Sequence, residues 1–204
     1  MNDDQTKALV ELSPEEVDFI DKKRRRGNEP RKPKKLPVAL DYNEFIALLK
    51  ATRKKEHKIA YLLGFGSGLR ISEILKLEPR HIMLDEKKIL IEQGKGSKDR
   101  IVPLPKGFKE EYVKIFPLKF KSLNSGSRSL QLSFRRAARR AGLLKNKPTL
   151  HFHSLRHGFA TRCVSQGIPI HHVMNLLGHS NLSTTSVYLQ SNPKEALDSF
   201  EKLF

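Results

Sequence analysis

The stretch KKRRRGNEPRKPKK, residues 22–35, sets the first limit on how this chain can fold. It holds nine basic residues against one acid, and Gly27, Pro30 and Pro33 interrupt it. Such a run offers too little apolar surface to offset the entropy of ordering it, so no core forms there. It reads as an arm or linker that tracks phosphates, with a solvated charge run or a localisation tag as the plainer alternatives. Upstream, SPEEVDFIDKKRRR carries Ser13, Pro14 and Glu16 in a capping-box pattern, predicting a short helix over about 14–25. Downstream, apolar periodicity begins at Leu36. Residues 1–36 are therefore expected to be a helix plus basic arm, and 37–204 one domain with a helical tail over 194–204.

Within that domain most of the pattern is helical. DYNEFIALLKATRK places Phe45, Leu48 and Leu49 on one face, with Asp41 as the cap. EHKIAYLLGFGSGLRISEILKL predicts a helix to about Leu63, a glycine turn, and a second helix bearing Ile71, Ile74 and Leu75. The period then changes. In KKILIEQGKGSKDRIVPLP, Ile89 and Ile91 alternate, a Gly-Ser-Lys-Asp turn follows, and Ile101, Val102 and Leu104 close a β-hairpin with lysines at its tip. KGFKEEYVKIF and LQLSFRRAARRAGLL predict further helices, and SLNSGSRS, 122–129, a loop with Ser127 or Ser129 as the following cap. HSLRHGFATRCVSQG is expected to be helical and closed by Gly167, and IPIHHVMNLLGHS a short helix ending at Gly178. LSTTSVYLQ and PKEALDSFEKLF, divided by Pro193, complete a mainly α fold with one small hairpin or sheet, an α+β class.

Lys and Arg outnumber Asp and Glu by 39 to 22, a net charge of +17 that favours polyanionic partners. The lone Cys163 cannot form an internal disulfide and reads as a small core residue in a reducing compartment. No apolar run reaches the ~18 residues that span a bilayer, and MNDDQTKALV lacks a signal-peptide pattern. A cytoplasmic protein with a nucleic-acid partner and no membrane partner is expected.

HSLRHGF, 153–159, concentrates imidazole and guanidinium. His153 and His157 have metal-ligand spacing, but no third ligand or carboxylate accompanies them, and Arg156 between them would repel a dication. No metal is expected. His157 shares a side with apolar neighbours and reads as a core histidine, while His151, His171 and His172 read as surface residues. An anion socket explains the set best. His153 and Arg156, three apart, project from one helical face, and the guanidinium fork matches two phosphate oxygens. Arg70 opens a helix after a glycine turn, where free amides also favour an anion, and Gly178 exposes His179. Tyr188 stands nine residues beyond His179.

GLRISEIL, GKGSKDRIVPL, HSLRHGFAT and LLGHSNLSTTSVY resemble, in order and spacing, the signature boxes of the tyrosine recombinases, the phage-integrase and Xer-type family. The resemblance covers roughly 37–190 and implies the catalytic-domain fold of that family. It implies DNA strand exchange through a 3′-phosphotyrosyl intermediate, with neither ATP, metal nor other cofactor. Tyr188 would be the nucleophile, Arg70 and Arg156 would bracket the non-bridging oxygens, and His153 would assist proton removal. His179 would donate to a phosphate oxygen, and Lys95 would protonate the leaving 5′-oxygen, with Lys98 as its rival or a phosphate contact. Glu73 would orient the arginine or histidine. Lys98, Arg100, Arg24, Arg25 and Arg26 are the expected DNA contacts.

The implied partner is double-stranded DNA at a specific site, bound by a tetramer linked through C-terminal tail exchange and assembled from monomers. Ala196, Leu197, Phe200 and Leu203 form the tail's apolar stripe, which suits docking on a neighbour or packing on its own domain. Two features depart from the family pattern. The residues before Leu36 are too few for the usual N-terminal clamp domain, as expected of a minimal enzyme or a catalytic-domain fragment. The proline common before the His151 segment is also missing. A type IB topoisomerase-like relaxing enzyme and a non-catalytic DNA-binding protein are the alternative functions.

Overall fold

The structure is a computed structural model that describes residues 38–92, 99–120 and 122–178. All of these belong to one compact unit, Leu36–Phe204. Its first helix, α1 (Tyr42–Ala51), starts where expected. The Asp41 carboxylate accepts from the Glu44 N–H at 2.8 Å, and Glu44 accepts from the Asp41 N–H at 2.9 Å. This reciprocal cap satisfies two amides that lack intrahelical partners. Phe45 and Leu48 point inward, and the Phe45 ring stacks on Phe65 at 4.0 Å.

Phe65 belongs to α2 (Lys55–Gly66), the central helix, which runs past Leu63 to the glycine turn itself. Ile59, Ala60, Tyr61, Leu63 and Phe65 are all buried. Tyr61 meets Phe134 and Phe152 edge-on at 5.6 and 5.7 Å, joining three helical regions in one aromatic cluster. After the turn, α3 (Ile71–Lys76) buries Ile74 and Leu75.

The sheet has three antiparallel strands in the order β1 (Ile82–Met83), β2 (Lys88–Ile91) and β3 (Arg100–Pro103). Ile89 pairs with Ile82 on one side and Val102 on the other, and all three are buried. The two-residue β1 is too short to leave a period-2 signature, so only the hairpin was legible. A 3-10 helix, Glu110–Ile115, replaces the helix expected within KGFKEEYVKIF, 106–116.

The largest departure is α4 (Leu123–Arg140), which begins inside the segment expected to be a loop. Ser122 caps it by accepting from the Ser125 N–H, so the true cap lies five and seven residues before Ser127 and Ser129. Serines and Gly126 are weak helix formers, but packing decides the matter. Gly126 is buried so closely that a Cβ there would come within 2.9 Å of both Leu75 and Phe120. Leu130, Phe134, Ala137 and Ala138 continue the same buried stripe. Arg140 closes α1 by donating to the Ala51 carbonyl from Nε and Nη2.

A single turn, α5 (Leu143–Asn146), leads to α6 (His153–Ser165) and α7 (Ile170–Leu177). Gly158 lets α6 cross close to α2, since a Cβ would stand 2.6 Å from the Leu40 carbonyl oxygen and 2.8 Å from the Phe65 ring. Cys163 is buried with Phe159, Ala160, Val173 and Leu177, as a core residue should be. Gly178 ends α7 in the left-handed region at φ 62°. The expected helix at 14–25, the basic arm, the hairpin tip and the two segments after Gly178 lie outside the described residues.

Candidate active site

Three arginines from three separate segments converge on one carboxylate. Glu73 projects from the first turn of α3, three residues after Arg70. Its Oε1 accepts from Arg70 Nη1 at 2.8 Å, and its Oε2 accepts from the Arg70 backbone N–H at 2.8 Å. Oε2 also accepts from Arg100 Nη2 at 2.9 Å and lies 3.9 Å from Arg156 Nη1. Burial alone would raise the Glu73 carboxyl, but hydrogen bonds from Arg100 and Arg70 and the Arg100 charge hold it below its usual value. It stays ionised and takes no proton near neutrality.

The same three arginines also close the carbonyl end of α7. Arg100 Nε donates to the Leu176 carbonyl at 2.9 Å, Arg156 Nη2 donates to that of Leu177, and Arg70 Nη2 reaches that of Gly178 at 3.4 Å. Three successive carbonyls at the negative end of a helix thus receive three guanidiniums. Arg156 is further held by the Gly68 carbonyl, 2.7 Å from Nη1. Gly68 has φ +69°, and a Cβ would meet the Phe159 ring at 2.6 Å, so the position demands glycine.

Arg70 and Arg156 therefore share a site but occupy it differently. Arg156 is 1% exposed, whereas the Arg70 side chain is 34% exposed. Arg70 lines a cavity of about 810 Å³ together with His151, His153 and the α4 residues Arg128 and Gln131. Partial shelter, then the Arg156 charge, then His151 and Arg70 push the His153 imidazole down to about 4, against a smaller opposing pull from Glu73. Solvent still reaches His153. It is neutral at physiological pH, and the surrounding arginines disfavour its protonated form. His157 is half-buried rather than core, its ring edge-on to His153 at 4.8 Å. His151, His171 and His172 are exposed, as expected of surface residues.

Arg100 is a correction. The sequence pattern places it on DNA, but its side chain is 8% exposed and turned inward onto Glu73 and α7. The strand pattern held the clue: Ile101 is 52% exposed and Val102 is buried, so Arg100 shares the inward side. Sequence reasoning also missed the α4 wall of the groove. Arg128, Gln131, Leu132 and Arg135 recur at helical spacing there, a signal obscured when the helix start is placed too late. Arg135 braces the segment before His151 by donating to the carbonyls of Pro148 and Leu150.

Lys95, Lys98, His179, Tyr188, Arg24, Arg25 and Arg26 lie outside the described residues. The other three tyrosines stand elsewhere. Burial pushes the Tyr61 phenol up to about 12, and Tyr42 and Tyr112 line an apolar cavity that shares no residue with the arginine groove.

Three guanidiniums share one carboxylate beside a neutral imidazole, a cluster of net charge +2 in which Arg70 lines the groove while Arg100 and Arg156 stand buried behind it. A family model described as the phage integrase family matches residues 39–195, and the chain belongs to that family. It is 33% identical over 185 residues to "Tyrosine recombinase XerA" of Thermococcus kodakarensis, covering 83% of this chain and 64% of the relative. To "Tyrosine recombinase" of Thermosipho africanus it is 34% identical, covering 87% of this chain and 66% of the relative. The match thus spans just under two thirds of each relative's length. Among solved structures, that of a XerA recombinase superposes with TM-score 0.63 at 26% identity, over 85% of this chain and 66% of that one. The catalytic domain of bacteriophage HP1 integrase superposes with TM-score 0.58 at 25% identity, over 80% of this chain and 94% of that domain. The mainly helical fold with its small antiparallel sheet is the tyrosine-recombinase catalytic-domain fold.

Proposed function

We propose that this protein is a site-specific DNA strand transferase that cuts and rejoins DNA through a 3′-phosphotyrosyl intermediate, for integration, excision or dimer resolution. The observation that carries this reading is the convergence of Arg70 and Arg156 on Glu73, beside His153 and a groove walled by α4. In cleavage, Tyr188 Oη bonds to the scissile phosphorus as the bond to the 5′-oxygen breaks. Neutral His153 assists removal of the phenolic proton by accepting a hydrogen bond from the hydroxyl, the proton passing on to solvent, and Lys95 gives a proton to the departing 5′-oxygen.

Forming a phenolate at pH 7 costs about 4 kcal/mol from a pKa near 10, and nearby positive charge lowers that cost. The pentacoordinate phosphorus carries one more negative charge than the diester, and a pocket with a net charge of two matches it better than the ground state. Arg70 and Arg156 take the two non-bridging oxygens, with His179 on a third contact. Phosphoester is exchanged for phosphoester, so no ATP is consumed, and the arginines take the charge-stabilising place that a metal ion would otherwise fill. The duplex lies along the exposed stripe of α4, with the arm at 22–35 and Lys98 adding phosphate contacts. On DNA the chains act as a tetramer linked by the tail at 194–204.

The test uses nicked duplexes carrying candidate sites, incubated with protein in EDTA and then denatured. A covalent adduct that Tyr188→Phe abolishes supports the reading, and exchange between two duplexes separates recombination from simple relaxation. Tight binding with no adduct on any site overturns it in favour of a binding protein.

A further inference from the structure

Arg70 and Arg156 face conflicting demands. Both cap carbonyls at the end of α7, yet both are wanted at the phosphate, and Gly178 directly precedes His179 and the segment carrying Tyr188. If both turned to the phosphate, the carbonyls of Leu177 and Gly178 would lose their donors just where the chain hands over to its nucleophile. A third cation can hold that end, and Arg100 has the geometry for it. It is 8% exposed, fixed by Glu73 on one side and the Leu176 carbonyl on the other, and it lies on β3 at the root of the hairpin that bears Lys95.

We propose that Arg100 is a positioning residue for strand cleavage: it clamps Glu73 to the end of α7, so that Arg70 and Arg156 can exchange their carbonyl contacts for phosphate oxygens without that end coming loose. The inference rests on the strand-transferase reading above. Arg70 is the guanidinium that moves first, because its 3.4 Å contact to Gly178 is the longest of the three and its side chain the most exposed. Arg100 itself never touches the substrate. Because it joins β3, α3 and α7, it also keeps the hairpin in register with the arginine pair.

The variants are Arg100→Met, which keeps the length but loses the charge and both hydrogen bonds, and Arg100→Lys, which keeps the charge. Single-turnover cleavage of a nicked duplex is measured at saturating protein, alongside DNA affinity over a salt series and amide exchange across 173–178 without DNA. Arg100→Met is expected to slow cleavage about 30-fold, within the range of residues that act by positioning, with affinity and salt slope unchanged. Exchange at the end of α7 rises, and Arg100→Lys recovers part of both losses. Combined with Glu73→Gln, the two defects are not multiplicative, because both variants break the same contact.

A weakened affinity with a shallower salt slope, at an unchanged rate on saturation, would make Arg100 a DNA contact and overturn the proposal. Multiplicative defects, or unchanged exchange at α7, overturn it equally. Should Arg100→Met fail to fold, Arg100→Lys carries the same measurements. If the unaltered protein forms no adduct, the strand-transferase reading fails, while amide exchange still reports whether Arg100 holds α7.

Discussion

Two basic regions meet at Arg70, and they use positive charge in opposite ways. On one side, Arg100 and Arg156 are almost wholly buried around Glu73, each donating to a named carbonyl. On the other, α4 presents Arg128 and Gln131 to an open groove, with Leu132 48% exposed among them. A buried guanidinium must be partnered to remain charged, so it is held close to its place of action until a ligand oxygen replaces one of its partners. That fixed charge is worth most where charge develops during reaction. Exposed cations are screened and mobile, and they contribute affinity that falls with salt. The buried cluster should therefore govern rate, and the α4 wall should govern binding.

The largest expected effect falls on the buried side. Arg156→Ala removes the charge behind Arg70 and uncaps the carbonyls of Gly68 and Leu177. Cleavage should drop by about a thousandfold or more, on the scale of losing a preorganised transition-state contact, while DNA affinity changes several-fold at most. An equal loss of affinity and rate would erase the distinction between the two regions. Glu73→Gln comes next. It leaves three guanidiniums without their shared counter-charge, and breaking such a buried network costs about 3 kcal/mol of stability by analogy with other buried pairs. Thermal unfolding should register that loss, together with slower cleavage.

Titration probes the same cluster. The depressed His153 value means that the unfolded chain takes up a proton near 6.5 while the folded chain resists until about 4. The stability tied to His153 is present above 6.5 and fades as pH falls from there to about 4. Glu73, also depressed, keeps its contribution until pH falls below the ordinary carboxylate range. His153→Gln should flatten the unfolding profile between those two pH values. A profile unchanged by that substitution would show that the imidazole does not feel the arginines.

What could be read from the sequence divides along the same line. Arg70, His153 and Arg156 stand in short motifs whose residue types carry their chemistry, so their grouping could be expected from the chain alone, and they do lie together around Glu73 and the α4 groove. Local order was legible where caps and periodicity agreed, as at Asp41 and Gly178. The inward turn of Arg100 was not, because charge suggests surface, and only pairing of β3 with β2 fixes which side it faces. The start of α4 was missed because serine and Gly126 suggest a loop, whereas contact with Leu75 and Phe120 makes it helix. Tertiary packing overrides propensity in both cases.

The smallest effect belongs to the exposed wall, and it sharpens the comparison most. Arg128→Ala deletes a cation that stands at the groove with no ion pair to another described residue. Losing one phosphate contact should weaken binding several-fold at moderate salt and reduce the slope of log affinity against log salt by about one. Cleavage at saturating protein should stay as it was, because no charge near the phosphorus has changed. Gln131→Ala carries no charge and should leave the salt slope alone, altering affinity only on some DNA sequences if it reads a base edge. A rate defect in Arg128→Ala at saturation would mean that α4 helps to place the scissile phosphate beside Arg70, so that binding and chemistry share one surface.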